Sequence, residues 1–252
     1  MRRSIRLLTA SFPGDPALDT AVSRALLQAV AAGQEPESLR IHRPGEVVAF
    51  SLLDRASRGF PRALAEARRL RVGAVLRLAG GRAALFHRGT LSLAWCLPAA
   101  DSRAGIRSRF EQLSQILRDA LQSLGVDARI GPVPGEWCPG AHSISAGGRA
   151  KLMGVGQRVV RGAAHLGAVV VVDGSERMRA VLEPIYRALG LDFDPRVVGS
   201  IADEVGGISL EEVESAIRRA FQQRFELLAG PLPAALRMQA DALAADHRLA
   251  GP

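Results

Sequence analysis

The stretch GGRAKLMGVGQR, residues 147–158, decides how this chain is interpreted. Its Lys151 is the only lysine among 33 basic residues, so that the other 32 are arginines. A solvated position tolerates arginine, whereas a site that needs a compact, point-like cation does not. Because glycines flank Lys151 on both sides, we expect a β-strand in which this ammonium lies close to a ligand and contacts it.

A second glycine-rich stretch, RLAGGRAAL at residues 77–85, places Gly80 and Gly81 between apolar segments that are typical of strands. Two successive glycines let backbone N–H groups approach a ligand closely, and Arg77 and Arg82 can neutralise an anion there. The stretch matches neither the phosphate loop GxxxxGK[ST] nor the GxGxxG loop that opens a helix. The alternative is an ordinary tight turn, so these residues indicate a site for an anionic or acyl ligand without naming a reaction.

Cys138 lies in GEWCPG, residues 135–140, a loop rich in glycine and proline. A thiol in such a loop and near cations is a candidate nucleophile with a lowered pKa, and the alternative is a half-buried, inert side chain. The other cysteine, Cys96, lies in an apolar strand and is expected in the core. The five histidines and two cysteines show no metal-ligand spacing, so no metal site is predicted.

The formal charge of +8 raises the question of nucleic-acid binding. The arginines are spread along the chain, and only 4% of residues are aromatic, which leaves few platforms for stacking bases. A basic surface also suits an acidic protein partner. The longest apolar run, residues 167–172, is far shorter than a membrane-spanning helix, and Arg6 interrupts the apolar segment that a signal peptide needs. We therefore expect a cytoplasmic protein that binds neither nucleic acid nor membrane.

Hydrophobic periodicity predicts helices that alternate with pairs of short strands, which argues for an α+β fold with a mixed, mostly antiparallel sheet flanked by helices. The expected helices cover residues 14–33, 60–70, 105–124, 175–190, 210–229 and 233–252. Strands are expected at residues 4–10, at 38–43 and 46–52 around the turn Pro44-Gly45, within 72–98, and within 126–172.

Two stretches carry a resemblance to a known family: LRLAGGRAALFH at residues 76–87, and KLMGVGQ at residues 151–157. They occur in the order and at the distance found in the lipoate-protein ligase and octanoyltransferase family, which shares its catalytic fold with the biotin protein ligases. The resemblance implies a catalytic domain of that kind over residues 1–200, and a C-terminal helical extension, residues 201–252, packed on it.

The resemblance implies an enzyme that attaches a lipoyl or octanoyl group to a lysine of a lipoyl carrier domain, in a 2-oxoacid dehydrogenase or in the glycine cleavage H protein. A ligase is the leading hypothesis, with lipoate or octanoate activated by ATP and Mg²⁺. In such ligases the motif lysine, here Lys151, contacts the acyl carbonyl and the phosphate of an acyl-adenylate, where it stabilises negative charge. The residues to which the motifs assign substrate binding are Arg77, Gly80, Gly81, Arg82, Ala83, His87, Gly154, Gly156 and Gln157.

Two features favour the cysteine-dependent octanoyltransferase branch of the family instead. Arg82 is the third residue of GGRA, and Cys138 lies 13 residues before Lys151, close to where that branch has its nucleophile. On this alternative Cys138 attacks the thioester of octanoyl-acyl carrier protein, and the target lysine then captures the octanoyl group without ATP. Departures from the ligase motif at Leu76-Arg77 and at Phe86-His87 leave a third alternative, a non-catalytic acyl-binding homologue.

Overall fold

The computed structural model describes residues 2–101 and 104–249, and these ranges contain eleven strands and eight α-helices. The strands are β1 (Ser4–Leu8), β2 (Ser38–His42), β3 (Val47–Phe50), β4 (Gly73–Leu76), β5 (Ala84–Phe86), β6 (Thr90–Ala99), β7 (Ala128–Ile130), β8 (Ile144–Ala146), β9 (Ala150–Val160), β10 (Gly162–Val171) and β11 (Glu226–Ala229). The helices are α1 (Pro16–Ala31), α2 (Leu52–Arg55), α3 (Phe60–Arg69), α4 (Ile106–Gln122), α5 (Ser175–Leu189), α6 (Ile201–Val205), α7 (Leu210–Gln222) and α8 (Ala234–Leu243).

Eight strands form one mixed sheet in the order β11-β1-β2-β6-β10-β9-β8-β7. The pairs from β2 to β7 are antiparallel, whereas β1 pairs in parallel with both β2 and β11. The α+β fold with a mixed, mostly antiparallel sheet is therefore confirmed.

A smaller sheet has the order β4-β3-β5. The two strands that the sequence predicts on either side of the turn Pro44-Gly45 do not pair with each other, because β2 joins the large sheet and β3 the small one. The segment between β2 and β3 passes from one sheet to the other and lies against the backbone of the loop that precedes α1. A Cβ on Gly45 would lie 2.0 Å from the carbonyl oxygen of Pro13, so this close approach requires glycine.

Helices cover both faces of the large sheet. On one face α4 and α7 contribute Leu117 and Ile217 to the core that contains Trp95. On the other face α1 begins at Pro16, and the Asp15 carboxylate accepts the N–H of the third residue of the helix as an N-cap. The small sheet, with α3 and α5, completes this second layer. None of the described helices is both long and apolar enough to cross a bilayer.

Strand β9 contains a β-bulge at Leu152. The consecutive residues 144–145 of β8 face Met153 and Lys151, so Leu152 is an extra residue on β9. Side chains alternate between the two faces of a regular strand, and an extra residue reverses that alternation. The bulge therefore turns Lys151 towards the same face as Gly154, where its Cε lies 3.7 Å from the position of a Cβ on that glycine.

The C-terminal segment differs from the expected helical extension. Helix α7 ends at Gln222, and the residues that the sequence predicts to continue it form the strand Glu226–Ala229 instead. This strand pairs with β1, whose backbone groups would otherwise be unpaired at the sheet edge. The segment after residue 201 is therefore not wholly helical, and part of it belongs to the large sheet.

Candidate active site

The loop between β7 and β8 carries Cys138, whose thiol accepts two hydrogen bonds. Arg77 Nη2 lies 3.3 Å from Sγ, and the backbone nitrogen of Arg82 lies 3.2 Å from it. Cys138 has a φ of +42°, in the left-handed region that few residues other than glycine adopt. A residue keeps such a conformation where surrounding contacts impose it, so the loop is held in place by its neighbours.

Lys151 lies beneath this loop, with 0% of its surface exposed. Its Nζ donates to the carbonyl oxygens of Trp137 at 2.7 Å and Cys138 at 2.9 Å, and lies 3.3 Å from Glu136 Oε1. An ammonium has three N–H donors, and these three acceptors occupy them. The ammonium therefore binds the loop, whereas the sequence predicts that it contacts the acyl carbonyl. Burial lowers the pKa of Lys151, although the nearby Cys138 and Glu136 oppose that shift.

Glu136 is the second buried charge under the loop and is 1% exposed. Its Oε1 accepts hydrogen bonds from the Gly140 backbone at 2.9 Å and the Ser143 hydroxyl at 2.7 Å, and its Oε2 accepts one from the Val133 backbone at 3.1 Å. A buried carboxylate is tolerated only when it is paired and hydrogen-bonded, and here both conditions are met. The pair of Glu136 and Lys151 thus fixes the loop on both sides of the cysteine.

Tyr186, the only tyrosine of the chain, connects the cysteine loop to the glycine-rich loop between β4 and β5. Its hydroxyl accepts the N–H of Cys138 at 2.6 Å and donates to the carbonyl oxygen of Ala83 at 2.8 Å. Burial raises the pKa of Tyr186 well above its ordinary value, so the hydroxyl keeps its proton and can donate. Because Tyr186 belongs to α5, this helix helps to set the distance between the cysteine loop and the glycine-rich loop.

Gly81 lies where the loop between β4 and β5 passes the thiol. Its φ is +100°, and a Cβ there would lie 2.6 Å from Cys138 Sγ and 2.4 Å from Arg77 Nη2. Arg77 Nη2 also donates to the carbonyl oxygen of Gly80. The second glycine of the pair is required both by its conformation and by the contact between arginine and thiol.

The surroundings of Cys138 favour its thiolate. Burial acts to raise the pKa of this thiol, but the charges of Arg77 and Lys151 and the hydrogen bonds from Arg82 and Arg77 outweigh it, so that the pKa falls below 9.0. The thiolate is the nucleophilic form of cysteine. By contrast, burial raises the pKa of Cys96, which lies in the core as the sequence predicts.

A pocket of about 800 Å³, counted with the open space at its mouth, lies beside the thiol. It is bounded by the large sheet, α1 and the small sheet. Gly154, Gly156 and Gly167 form part of its floor, and a Cβ on Gly154 would lie 3.0 Å from the Trp137 ring. Apolar side chains from both sheets line its walls, namely Val47, Ala49, Val75, Phe86 and Val169. The pocket can therefore hold an apolar chain whose reactive end lies at Cys138.

The structure brings together most of the residues that the sequence singles out, but not all. Arg77, Gly81 and Arg82 surround the thiol, and Gly154 and Gly156 line the pocket.

Two others lie elsewhere. His87 lines a separate cavity between β5 and the start of α5, with Asp173 and Arg177. Gln157 binds Arg109 of α4 through its side-chain oxygen at 2.9 Å, while its backbone oxygen lies 3.5 Å from the nitrogen of Gly80. Neither side chain reaches the thiol, because each is directed to a neighbouring helix or turn.

Three residues of the site escape the sequence reasoning: Glu136, Trp137 and Tyr186. Each is a rare or isolated residue type in its setting, since Glu136 is the one acid of the cysteine loop and Tyr186 the one tyrosine of the chain. Such isolation is a usable signal, as it is for Lys151. Among residues 2–101 and 104–249, no three His, Cys, Asp or Glu side chains come together in a way that could hold a metal ion.

Comparison with known families identifies residues 15–222 as a match to the lipoyl protein ligase A/B catalytic domain. The match covers both glycine-rich motifs, the cysteine loop and α7.

Two relatives carry the name octanoyl-[GcvH]:protein N-octanoyltransferase. The protein of Geobacillus kaustophilus is 28% identical over 213 residues, which are 80% of this chain and 75% of the relative. That of Oceanobacillus iheyensis is 26% identical over 155 residues, which are 57% of this chain and 55% of the relative.

Solved structures share the fold. Lipoate-protein ligase A bound with ATP superposes with a TM-score of 0.80 at 21% identity, covering 96% of this chain and 94% of the other. A lipoate protein ligase from T. acidophilum with bound lipoic acid superposes with a TM-score of 0.76 at 22% identity and the same coverage of 96% and 94%. At these identities the likeness concerns the fold.

Proposed function

The chain belongs to the lipoyl protein ligase A/B catalytic domain family, and on that premise we propose that it is a cysteine-dependent octanoyltransferase. It moves an octanoyl group from a carrier of the glycine cleavage H protein type to a lysine of a lipoyl domain. The relatives named for transfer from GcvH support this choice of donor. Cys138 holds the octanoyl group between the two carriers.

One observation carries the proposal: Cys138 lines an apolar pocket, and its thiol lies 3.3 Å from the Arg77 guanidinium. A nearby cation and a backbone donor lower the pKa of the thiol, which increases the thiolate fraction at neutral pH. The thiolate and the acyl pocket are the two components that a thioester intermediate needs.

The transfer has two steps. The Cys138 thiolate adds to the carbonyl carbon of the octanoyl-lysine of the donor, the C–N bond breaks, and the donor lysine leaves as an amine that takes up a proton. The neutral amine of the acceptor lysine then attacks the Cys138 thioester, the C–S bond breaks, and the thiolate is regenerated. The proton lost by the acceptor lysine balances the one gained by the donor lysine, so the net reaction exchanges one amide for another.

Lys151 acts as a positioning residue in this proposal. Its three N–H groups hold the carbonyl oxygens of Trp137 and Cys138 and the carboxylate of Glu136, so it sets where the thiol lies. Its charge also helps to lower the pKa of Cys138.

The residues do not fit the nucleotide role that the ligases suggest. In that role the ammonium of Lys151 contacts a phosphate, yet here it is fully buried and has no free donor. Arg77 is likewise engaged with Gly80 and Cys138. We therefore derive no step through ATP or Mg²⁺.

The decisive experiment is acyl transfer followed by intact mass. The enzyme and an apo lipoyl domain are mixed with octanoylated H protein, with octanoyl-acyl carrier protein, or with octanoate, ATP and Mg²⁺. We expect modification of the lipoyl domain with octanoylated H protein and no ATP, and an octanoyl adduct on the enzyme. The adduct should be absent from Cys138→Ser and present on the matched control Cys96→Ser.

Other outcomes contradict the proposal in distinct ways. Modification that requires ATP would favour the ligase. Transfer from octanoyl-acyl carrier protein alone would keep the thioester mechanism but replace the donor. Transfer in none of the three mixtures would favour an acyl-binding homologue without catalytic activity.

A further inference from the structure

Helix α2 carries two exposed leucines. Leu52 is 56% exposed and Leu53 is 59% exposed, although a leucine side chain gains free energy when it is buried. Among the residues that the structure describes, they are the only well-exposed large apolar side chains that are neighbours in the chain. Single exposed apolar residues are ordinary on a soluble protein, whereas adjacent ones are a feature of interaction surfaces.

Three exposed arginines follow these leucines in the same segment: Arg55, Arg58 and Arg62. None of them forms an ion pair with a carboxylate within residues 2–101 and 104–249. Positive charges without a counter-charge repel one another, and an acidic partner would relieve that repulsion. Protein interfaces combine apolar side chains at the centre with an enrichment in arginine. We call this segment the leucine–arginine surface and define it by its exposed residues, Leu52, Leu53, Arg55, Arg58 and Arg62.

Asp54 connects the leucine–arginine surface to the active site. This carboxylate lies within α2 and is 0% exposed. Its Oδ2 accepts hydrogen bonds from the backbone of Ser51 at 2.9 Å and from the Ser51 hydroxyl at 3.0 Å, and its Oδ1 lies 3.6 Å from Arg82 Nη1. The backbone nitrogen of Arg82 in turn lies 3.2 Å from Cys138 Sγ. Helix α2 is therefore in contact with a residue that touches the thiol.

Both carriers of the proposed reaction must bring a lysine to one sulfur atom. Cys138 takes the octanoyl group from the donor lysine and gives it to the acceptor lysine. A lysine side chain has only a four-carbon stem, so the carrier domain must lie against the protein surface close to the thiol. Gly80 and Pro139 are exposed on the two loops that meet at the thiol, and α2 flanks the first of these loops.

We propose that the leucine–arginine surface is the docking site for the carrier domains, and that the acylated donor and the apo acceptor occupy it in turn. The matching surface of each carrier is acidic and offers an apolar side chain near its reactive lysine. One surface serves both carriers because one thiol serves both lysines. The inference rests on the proposed function, which supplies the two carriers and the thiol between them.

The leucines are tested by binding without turnover. Octanoylated H protein is titrated into the Cys138→Ser protein, and the affinity is measured by calorimetry. Adding Leu52→Ser and Leu53→Ser should weaken binding by about tenfold or more, as the loss of apolar side chains at the centre of an interface does. The matched control adds Leu228→Ser and Met238→Ser, which removes two exposed apolar side chains elsewhere, 52% and 73% exposed, and should leave the affinity unchanged.

The arginines are tested by charge reversal in the same assay. Arg55→Glu/Arg58→Glu should weaken binding of octanoylated H protein by about tenfold or more and should reduce its dependence on salt, because both effects follow from lost attraction between opposite charges. Arg161→Glu/Arg219→Glu makes the same change in net charge at two exposed positions elsewhere and is the control. It should keep most of the affinity.

A small thioester, S-octanoyl-N-acetylcysteamine, separates docking from chemistry. The Cys138 thiolate attacks its carbonyl carbon, the donor C–S bond breaks, and N-acetylcysteamine leaves as a thiolate that takes up a proton. In an enzyme with intact Cys138, the leucine and arginine double variants should form this adduct at the wild-type rate, measured by intact mass. This result also shows that the variants are folded. Their KM for octanoylated H protein should rise.

A shared surface predicts competition between the carriers. Apo lipoyl domain should displace octanoylated H protein from the Cys138→Ser protein, and the leucine double variant should weaken the binding of both. A complex that contains both carriers at once would overturn the shared surface.

The outcomes separate this inference from the proposed function. Wild-type affinity in both double variants overturns the inference and leaves the proposed function standing. Equal losses in the arginine variant and its control mean that overall charge alone attracts the carrier, which also overturns the inference. Binding that depends on the leucine–arginine surface, without transfer of any acyl group, supports the inference and contradicts the proposed function.

Discussion

Lys151 Nζ lies 2.9 Å from the carbonyl oxygen of Cys138. The lysine holds the backbone of Cys138, the proposed nucleophile, while Arg77 contacts the thiol itself at 3.3 Å. This arrangement explains the single lysine of the chain. Three oxygen atoms converge on a fully buried cation, a geometry that suits a compact ammonium and not a planar guanidinium.

Replacement of Arg77 by methionine should raise the pKa of Cys138. The variant removes the cation that lies 3.3 Å from the thiol and keeps a side chain of similar length. Burial, which raises the pKa of the thiol, is then less well offset. The pH dependence of iodoacetamide alkylation measures the shift, and its midpoint should move to higher pH. As a control, Arg107→Met on the exposed side of α4 should keep the wild-type midpoint. An unchanged midpoint in Arg77→Met would show that the guanidinium does not stabilise the thiolate.

Lys151→Met should destabilise the fold strongly. It leaves the carboxylate of Glu136 buried without its cation, a change that typically costs about 3–5 kcal/mol of unfolding free energy. Urea denaturation provides the measurement. The double variant Lys151→Met/Glu136→Gln should recover part of the loss, because the amide needs no counter-charge. A single variant as stable as the wild type would contradict the buried ion pair.

Gly154→Val should impair acyl transfer more than it impairs folding. Even a Cβ at this position would lie 3.0 Å from the Trp137 ring, next to Cys138 in the chain, and the larger side chain would also fill the pocket floor. Overpacking of this kind costs about 1–3 kcal/mol of stability. The rate of octanoyl transfer should fall by about tenfold or more. Gly230→Ala, where a Cβ would meet no atom within 4 Å, is the control.

The fold should lose stability in mild acid through His165. Burial depresses the pKa of His165 from 6.5 to about 4 in the folded protein, so the unfolded chain takes up a proton that the folded chain excludes. The free energy of unfolding is therefore not reduced by His165 above pH 6.5. As the pH falls from 6.5 towards 4, protonation of His165 in the unfolded chain lowers it by about 3 kcal/mol in all. Urea denaturation at pH 7.5 and at pH 4.5 measures the loss, and His165→Asn should reduce it. Equal losses in both proteins would refute the assignment.

Tyr186→Phe should weaken the connection between the cysteine loop and the glycine-rich loop that ends at Ala83. The variant removes the acceptor of the Cys138 N–H and the donor to Ala83, leaving two buried backbone groups unpaired at about 1–3 kcal/mol each. We expect a lower denaturation midpoint and slower octanoyl transfer. Phe193→Leu, which alters the ring packed on Tyr186 without touching the hydroxyl, separates the hydrogen bonds from packing. If both variants slow transfer equally, the hydroxyl has no particular role.

The helices were the most predictable part of the fold. The apolar spacing places α4 at residues 105–124 and α5 at 175–190, and the structure has them at Ile106–Gln122 and Ser175–Leu189. Their signals are local, since the apolar stripe and the glycine after α5 lie within the segment itself. The short helices α2 and α6 go unpredicted, although each begins with a serine capping box.

Strand pairing was less predictable. The segments around Pro44-Gly45 look like a hairpin but enter different sheets, and the end of the predicted helix 210–229 becomes a strand. In both cases the partner is remote in sequence, and backbone hydrogen bonds to that partner outweigh the local preference.

The sequence by itself determined which residues are candidates for the chemistry: a lone lysine, a cysteine in a glycine- and proline-rich loop, and two glycine-rich motifs, each recognisable from its own neighbourhood. Tertiary structure decided how those residues are arranged and which groups surround them. The bulge at Leu152 turns Lys151 under the loop, and Arg77 meets Cys138 across 61 residues of chain. Charges and cavities depend on what surrounds a side chain in space, and segments far apart in the sequence supply those surroundings.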